Sequence, residues 1–131
     1  MSRMVPESGD LRRRRAYRAG HAAERIALIW LALKGYRPLS RRYAVRGGEI
    51  DLVVRRGTTI AFVEVKARRT LGEALDAITE AKRRRIGKAA ATWLAHNPWA
   101  ASHNLRGDIL ACRPWRWPRH FPGALALEIG H

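Results

Sequence analysis

The sequence predicts an α/β domain in which helices flank a central mixed β-sheet of four to five strands. Three observations carry this. A chain of 131 residues suits one core, with room for about five strands and two or three helices. Residues 16–34 and 79–94 repeat apolar side chains at three- and four-residue steps, the period of an amphipathic helix. Between them, the runs 48–54 and 60–66 are rich in Val and Ile and are joined by the short turn Arg55-Arg56-Gly57-Thr58-Thr59, the pattern of a β-hairpin.

In chain order, residues 1–15 form a basic, flexible N-terminal tail: Met1 to Leu11 is polar, with Pro6 and Gly9, and Arg12-Arg13-Arg14-Arg15 follows. Residues 16–131 form the single domain. The first helix stripes Ala23, Ile26, Ala27, Trp30 and Leu31 along one side and stops at Gly35. Tyr36 to Arg46 is extended and makes the strand beside the hairpin, and Gly47-Gly48 turns the chain into it. Residues 72–78 fit a turn or a helix. Thr79 and Glu80 then start a helix whose apolar side is Ile86, Ala89, Ala90, Trp93 and Leu94, and Asn97-Pro98 ends it. Leu105 to Cys112 reads as a strand and Ala124 to Ile129 as a last edge strand. The Arg113 to His120 loop between them alternates Trp and Arg, which suits either stacking on bases or a loop tucked on its own core.

The charge balance points to a partner. A net charge of +15 with only 11 acids exceeds what a fold needs and favours a polyanion, nucleic acid before an anionic membrane surface. No apolar run is long enough to span a bilayer, and the N-terminus lacks the order of a secretory signal. Cys112, the single cysteine, excludes an intrachain disulfide and fits a reducing compartment, with a small buried side chain as its simplest role. A cytoplasmic protein is expected.

Three of the scarce acids fall in the hairpin region. Side chains two apart on a strand share a face, so Glu49 and Asp51 project together, as do Glu64 and Lys66, while Ile50, Leu52, Val54, Val63 and Val65 point the other way. Unpaired burial of such charges costs several kcal/mol each, roughly, so the pattern asks for a cation. Asp51 and Glu64 offer hard oxygens to Mg²⁺ or Mn²⁺, with the backbone carbonyl of Val65 as a third ligand. Lys66 is placed to orient a water or to stabilise pentavalent charge at a phosphate. On spacing alone Glu24 reads as a surface salt-bridge residue, and Glu49 as a partner for a nearby arginine. A basic rim, made of Arg12, Arg13, Arg14, Arg15, Arg41, Arg42, Arg46, Arg68, Arg69, Lys82, Arg83 and Arg84, is expected to grip a phosphate backbone.

These residues also resemble a known group. Glu49-Ile50-Asp51 followed by Glu64-Val65-Lys66, with Glu24 on a preceding helix, looks like the PD-(D/E)XK nuclease superfamily in its archaeal Holliday junction resolvase branch. More closely, the ordered series Gly20/Glu24, Gly35-Tyr36, Gly48-Glu49-Ile50-Asp51-Leu52, Phe62-Val63-Glu64-Val65-Lys66, Arg68, Lys82 and Ala90/Trp93-Leu94 is similar to the bacterial YraN family, over about residues 17–112. The resemblance implies a restriction-endonuclease-like fold, a metal site at Asp51 and Glu64, Lys66 as catalytic lysine and Glu24 as the acid delivered from a helix. It departs at Ile50, where a proline is usual, and at Arg106-Gly107-Asp108, where an aromatic is lost and Asp108 becomes a weaker candidate. The expected function is that of a divalent-metal-dependent endonuclease acting on structured or branched DNA, DNA being favoured over RNA, with a homodimer implied by a two-fold junction. The alternative is a nuclease-like fold that binds nucleic acid without cutting it.

Overall fold

The computed structural model describes the backbone of residues 9–127 and the side chains of residues 21–127. Helix α1 (Gly9–Leu33) leads into strands β1 (Arg37–Val45), β2 (Gly48–Arg56) and β3 (Thr59–Ala67). Helices α2 (Leu71–Asp76) and α3 (Glu80–His96) follow, then a 3-10 turn (Pro98–Ser102), β4 (Asn104–Cys112) and the short β5 (Arg119–Phe121). The strands lie in chain order in one sheet. β1, β2 and β3 are successive antiparallel neighbours, β3 and β4 are parallel, and β5 runs antiparallel to β4. Parallel neighbours need a long crossover, and here α2, α3 and the 3-10 turn supply it. This is the mixed, helix-flanked, restriction-endonuclease-like sheet that the sequence predicts.

The sheet is buried on both faces, because its strands carry apolar residues at both parities. Ile60, Phe62 and Val53 pack with Ile86, Ala89, Ala90 and Trp93 of α3. Ala61, Val63, Leu52 and Val54 pack with Ala23, Ala27 and Leu31 of α1. Thr79 caps α3, its hydroxyl accepting the Lys82 N–H at 3.2 Å, which sets where the helix starts above the hairpin. Gly48 lets α3 come close, since a Cβ there would overlap the carbonyl oxygen of Arg85.

Three expectations are corrected, and one left open is resolved. α1 begins at Gly9 and not near residue 16, so the backbone of Arg12 to Arg15 is helical and not part of a tail. No proline interrupts residues 9–33, and Arg and Ala favour helix. Their side chains, and residues 1–8, lie outside the described residues. Residues 72–78 resolve largely as α2, capped by the Thr70 hydroxyl on Glu73 N–H at 3.1 Å. The last strand is not at Ala124 to Ile129: the edge strand is Arg119–Phe121, inside the segment read as a loop. Pro122 and Gly123 (φ +72°) turn the chain after it. Leu125 then donates its N–H to Gly107 at 3.1 Å and buries its side chain, while residues 128–131 lie outside the described residues. Finally, Ile50 joins the α3-side cluster instead of following Leu52 and Val54 to the other face. The β2–β3 ladder runs only from Leu52↔Val63 to Arg56↔Thr59, so the strict alternation of a paired strand ends at Asp51.

Candidate functional site

Where β2 leaves β3, a cleft of about 150 Å³ opens under α3, lined by Glu24, Glu49, Asp51, Glu64, Lys66 and Lys82 among others. Its geometry starts from the end of the ladder. Beyond Leu52↔Val63 the β3 backbone has lost its β2 partner, and Asp51 Oδ2 takes over by accepting the Val65 N–H at 2.8 Å. A strand residue directs its N–H and C=O to the same side, so the Val65 carbonyl also faces the cleft side of β3. Glu64 and Lys66 share the parity of Ile60 and Phe62 and therefore point toward α3. They are buried, and Lys66 Nζ lies 2.9 Å from Glu64 Oε1.

The electrostatics of this cluster are strained toward accepting a cation. Burial first, then the negative charge of Glu64, push the Asp51 carboxyl up to about 8, although the Val65 N–H acts against them. The two carboxyl groups are close enough to hydrogen-bond, which also favours a proton on Asp51. Burial alone would lower the Lys66 ammonium, but Glu64 and its other neighbours carry it above its ordinary value. Lys82, reaching in from the first turn of α3, is pulled below its ordinary value by its contact with Lys66 and by burial.

The Asp51 and Glu64 carboxyl groups beside a backbone carbonyl are a donor set of hard oxygens. They suit Mg²⁺ or Mn²⁺, which keep several waters and need only one or two protein carboxylates. Among the described residues no three His, Cys, Asp or Glu side chains gather at ligand spacing. A cation in the cleft would have Asp51, Glu64 and the Val65 carbonyl as its protein donors.

Glu24 lines the same cleft from α1 but is held elsewhere: its Oε2 accepts from Arg42 Nε at 2.6 Å. The salt bridge expected from spacing exists, although Glu24 is buried and not on the surface. Arg42 takes part with a left-handed backbone, φ +47°, a conformation rare for a residue with a side chain. Among the rim residues whose side chains are described, Lys82 alone lines the acidic cleft. Arg41 and Arg46 are exposed on and just beyond β1, Arg83 and Arg84 border a hollow on the outer side of α3, and Arg68 and Arg69 border another beside α1 just past the end of β3. Arg85, which lines the cleft, escaped the sequence reading because it stands in an unbroken run of Lys and Arg.

Asp108 belongs to a different structure. It is fully buried and bound by Arg106 Nε at 2.7 Å, Arg106 Nη2 at 2.8 Å, His120 Nε2 at 2.7 Å and the Gly123 N–H at 2.9 Å. Arg106 also donates to the Tyr36 hydroxyl at 2.6 Å. This network ties β4 to β5 and to the start of β1, and it keeps Asp108 out of the cleft. Cys112 is buried, its thiol pushed up to about 11 by that burial, as a packing role requires. Among the described residues no helix is long and apolar enough to cross a membrane.

The fold and cleft together define an α/β protein with a five-stranded mixed sheet whose central hairpin presents two acids and a lysine under a basic helix. Within that class the chain belongs to the uncharacterised protein family UPF0102, the YraN family, whose pattern matches residues 23–112. It is 58% identical over 117 residues to a UPF0102 protein of Methylobacterium nodulans, covering 89% of this chain and 91% of that one. It is 55% identical over 123 residues to one of Methylorubrum extorquens, covering 94% and 96%. A UPF0102 protein of Rhizobium meliloti is 46% identical over 121 residues, covering 92% and 99%.

Proposed function

We propose that this protein is a divalent-metal-dependent endonuclease of PD-(D/E)XK type that hydrolyses phosphodiester bonds in structured or branched DNA. One observation carries the reading: Asp51, Glu64 and Lys66 converge in a single cleft, with the Asp51 carboxyl held protonated by its surroundings up to about pH 8. A fold does not gain stability from such an arrangement, whereas a cation replacing the Asp51 proton makes the buried negative charge favourable. Asp51, Glu64 and the Val65 carbonyl would hold Mg²⁺ or Mn²⁺. When bound, the cation supplies Lewis-acid polarisation of the phosphate and acidifies water. Lys66, held in place by Glu64, offers its ammonium to the developing charge on the phosphoryl oxygens. Lys82 and Arg85 add positive charge at the mouth and draw the phosphate backbone toward the acids.

A second reading has its own support. The Lys66–Glu64 and Arg42–Glu24 pairs neutralise two of the cleft acids without a metal, as a module that binds nucleic acid without cutting would need. Purified protein incubated with four-way junction, flap, single-stranded and linear duplex DNA, in Mg²⁺ or Mn²⁺, separates the two. Cleavage by the wild type that disappears in Asp51→Asn supports the enzyme. Salt-sensitive binding that persists in EDTA with no cleavage, or equal cleavage by Asp51→Asn, overturns it.

A further inference from the structure

A second hollow, of about 400 Å³, opens on the α1 face at the ends of β3 and β4, where Arg68, Arg69 and Arg113 surround a floor that includes Ala23, Ala67 and Cys112. It adjoins the acidic cleft along one strand end: Glu64 to Lys66 line the cleft, and the next three residues line the hollow. On α1, Ala23 borders the hollow and Glu24 the cleft. The Nε of Arg113 is buried and has no hydrogen-bond partner among the described residues. Arg113 itself is half-buried and borders the hollow, so its guanidinium adds positive charge there.

The chain just beyond Arg113 is equally unusual. Trp115 is wholly exposed and Trp117 is 74% exposed, while Pro118 between Trp117 and β5 is buried. Trp115 stands in the left-handed region, φ +59°, a costly conformation for a bulky residue. Trp117 lies against Trp30 of α1, with ring centroids 5.3 Å apart, which fixes its direction. The loop is thus anchored at Pro118 and Trp30 with its indoles held outward, beside exposed Arg116 and Arg119. Two indoles kept in water are an unspent stacking surface. On a chain of net charge +15, and beside arginines, their complement is an aromatic polyanion.

We propose that this surface holds an unpaired stretch of nucleic-acid strand beside the acidic cleft, with bases stacked on Trp115 and Trp117 and with phosphate or base oxygens accepting from Arg113, Arg68 and Arg69. The inference rests on the phosphodiester reading of the cleft and narrows its substrate to DNA in which a single strand leaves a duplex. Base faces inside a continuous duplex are already stacked and cannot use the indoles.

Binding read by fluorescence anisotropy in EDTA tests this apart from cleavage. The probes are labelled oligo-dT, a blunt duplex and a duplex carrying an oligo-dT overhang. Wild type is expected to bind the overhang duplex more tightly than the blunt one. Trp115→Ala/Trp117→Ala should weaken oligo-dT and overhang binding about fivefold or more and leave blunt-duplex binding unchanged, with Arg113→Gln shifting the same two probes. Circular dichroism checks the fold, and Trp115→Ala alone keeps the test valid if the double variant is unstable. Equal affinity of the wild type for blunt and overhang duplexes, or unaltered oligo-dT binding by the folded variants, overturns the proposal. So does a change in self-association, seen by sedimentation, in place of a change in DNA binding. If the wild type cleaves no DNA yet shows the indole-dependent preference, the enzyme reading fails and this one stands. Metal-dependent cleavage that ignores the indoles gives the reverse.

Discussion

Asp51 accepts the backbone N–H of Val65 across 2.8 Å, fourteen residues along the chain and one strand over. A side chain here does the work of a main-chain ladder bond, at the point where β2 and β3 part. The carboxylate that terminates the pairing is therefore the same one that opens the cleft, and it is rigidly placed without a metal. Its second oxygen and the Glu64 carboxylate are the groups left for chemistry.

Metal addition should stabilise the protein, and the response should run through Asp51. At a free metal concentration about 100-fold above Kd, linkage gives roughly 2.7 kcal/mol, readable as a rise in Tm on adding Mg²⁺ or Mn²⁺ and its reversal by EDTA. In Asp51→Asn the amide oxygen still accepts the Val65 N–H, so the variant is expected to fold with metal-free stability equal to or above that of wild type. It should show no metal-induced rise in Tm. An undiminished rise in that variant would place the cation elsewhere.

Lys66→Met should separate binding from turnover. The substitution removes the ammonium 2.9 Å from Glu64 and leaves the carboxylate more available, so the metal-induced Tm rise should persist or grow. Loss of a group aimed at transition-state charge costs about 10²–10³ in rate, so cleavage of the best DNA substrate should fall by that factor with little change in DNA affinity. A proportional loss of affinity would make Lys66 a binding residue.

The hairpin and its charged triad are legible in the sequence because strand parity pairs Glu64 with Lys66, and a short hairpin turn sets the register that brings Asp51 beside them. The end of the β2–β3 ladder is not legible. It depends on where α3 docks against Gly48 and Ile50, a contact between elements more than thirty residues apart. For the same reason Asp108 reads as a possible site acid. Nothing local shows that His120, Arg106 and Gly123 will converge on it. The three-residue β5 is too short to leave a periodic signal, and Trp and Arg conceal it. Composition points to a basic rim, but which cations reach the cleft depends on the helical phase of α3, and that phase selects Lys82 and Arg85.

Gly48→Ala should damage the site through α3. A Cβ at Gly48 would run into the Arg85 carbonyl and crowd the Ala89 N–H at 3.2 Å, backbone atoms of a helix that cannot swing aside like a side chain. Overpacking of this kind costs about 1–3 kcal/mol. The helix also carries Lys82 and Arg85 to the cleft, so cleavage should fall further than the loss of Tm explains. Gly72→Ala is the control: a Cβ there has nothing within 4 Å, and both Tm and activity should stay near wild type.

The Asp108 network should set the acid limit of stability. Burial would raise this carboxyl, but hydrogen bonds from His120, Arg106 and the Gly123 N–H overcome that and lower it to about 2, against 3.8 for the free group. An acid whose folded pKa is depressed contributes stability above its unfolded pKa and loses it as pH falls through the folded one. The contribution is therefore complete above about pH 4 and fades toward about pH 2, where the folded form also takes up the proton. The displacement corresponds to roughly 2 kcal/mol. Asp108→Asn should therefore be destabilised most at neutral pH, with Arg106 left facing a neutral amide. The gap to wild type in urea unfolding should narrow by about that amount between pH 4 and pH 2. A gap that stays constant across this window would mean that Asp108 is not held as a carboxylate in the fold. Its value would then lie in shape and hydrogen bonding alone.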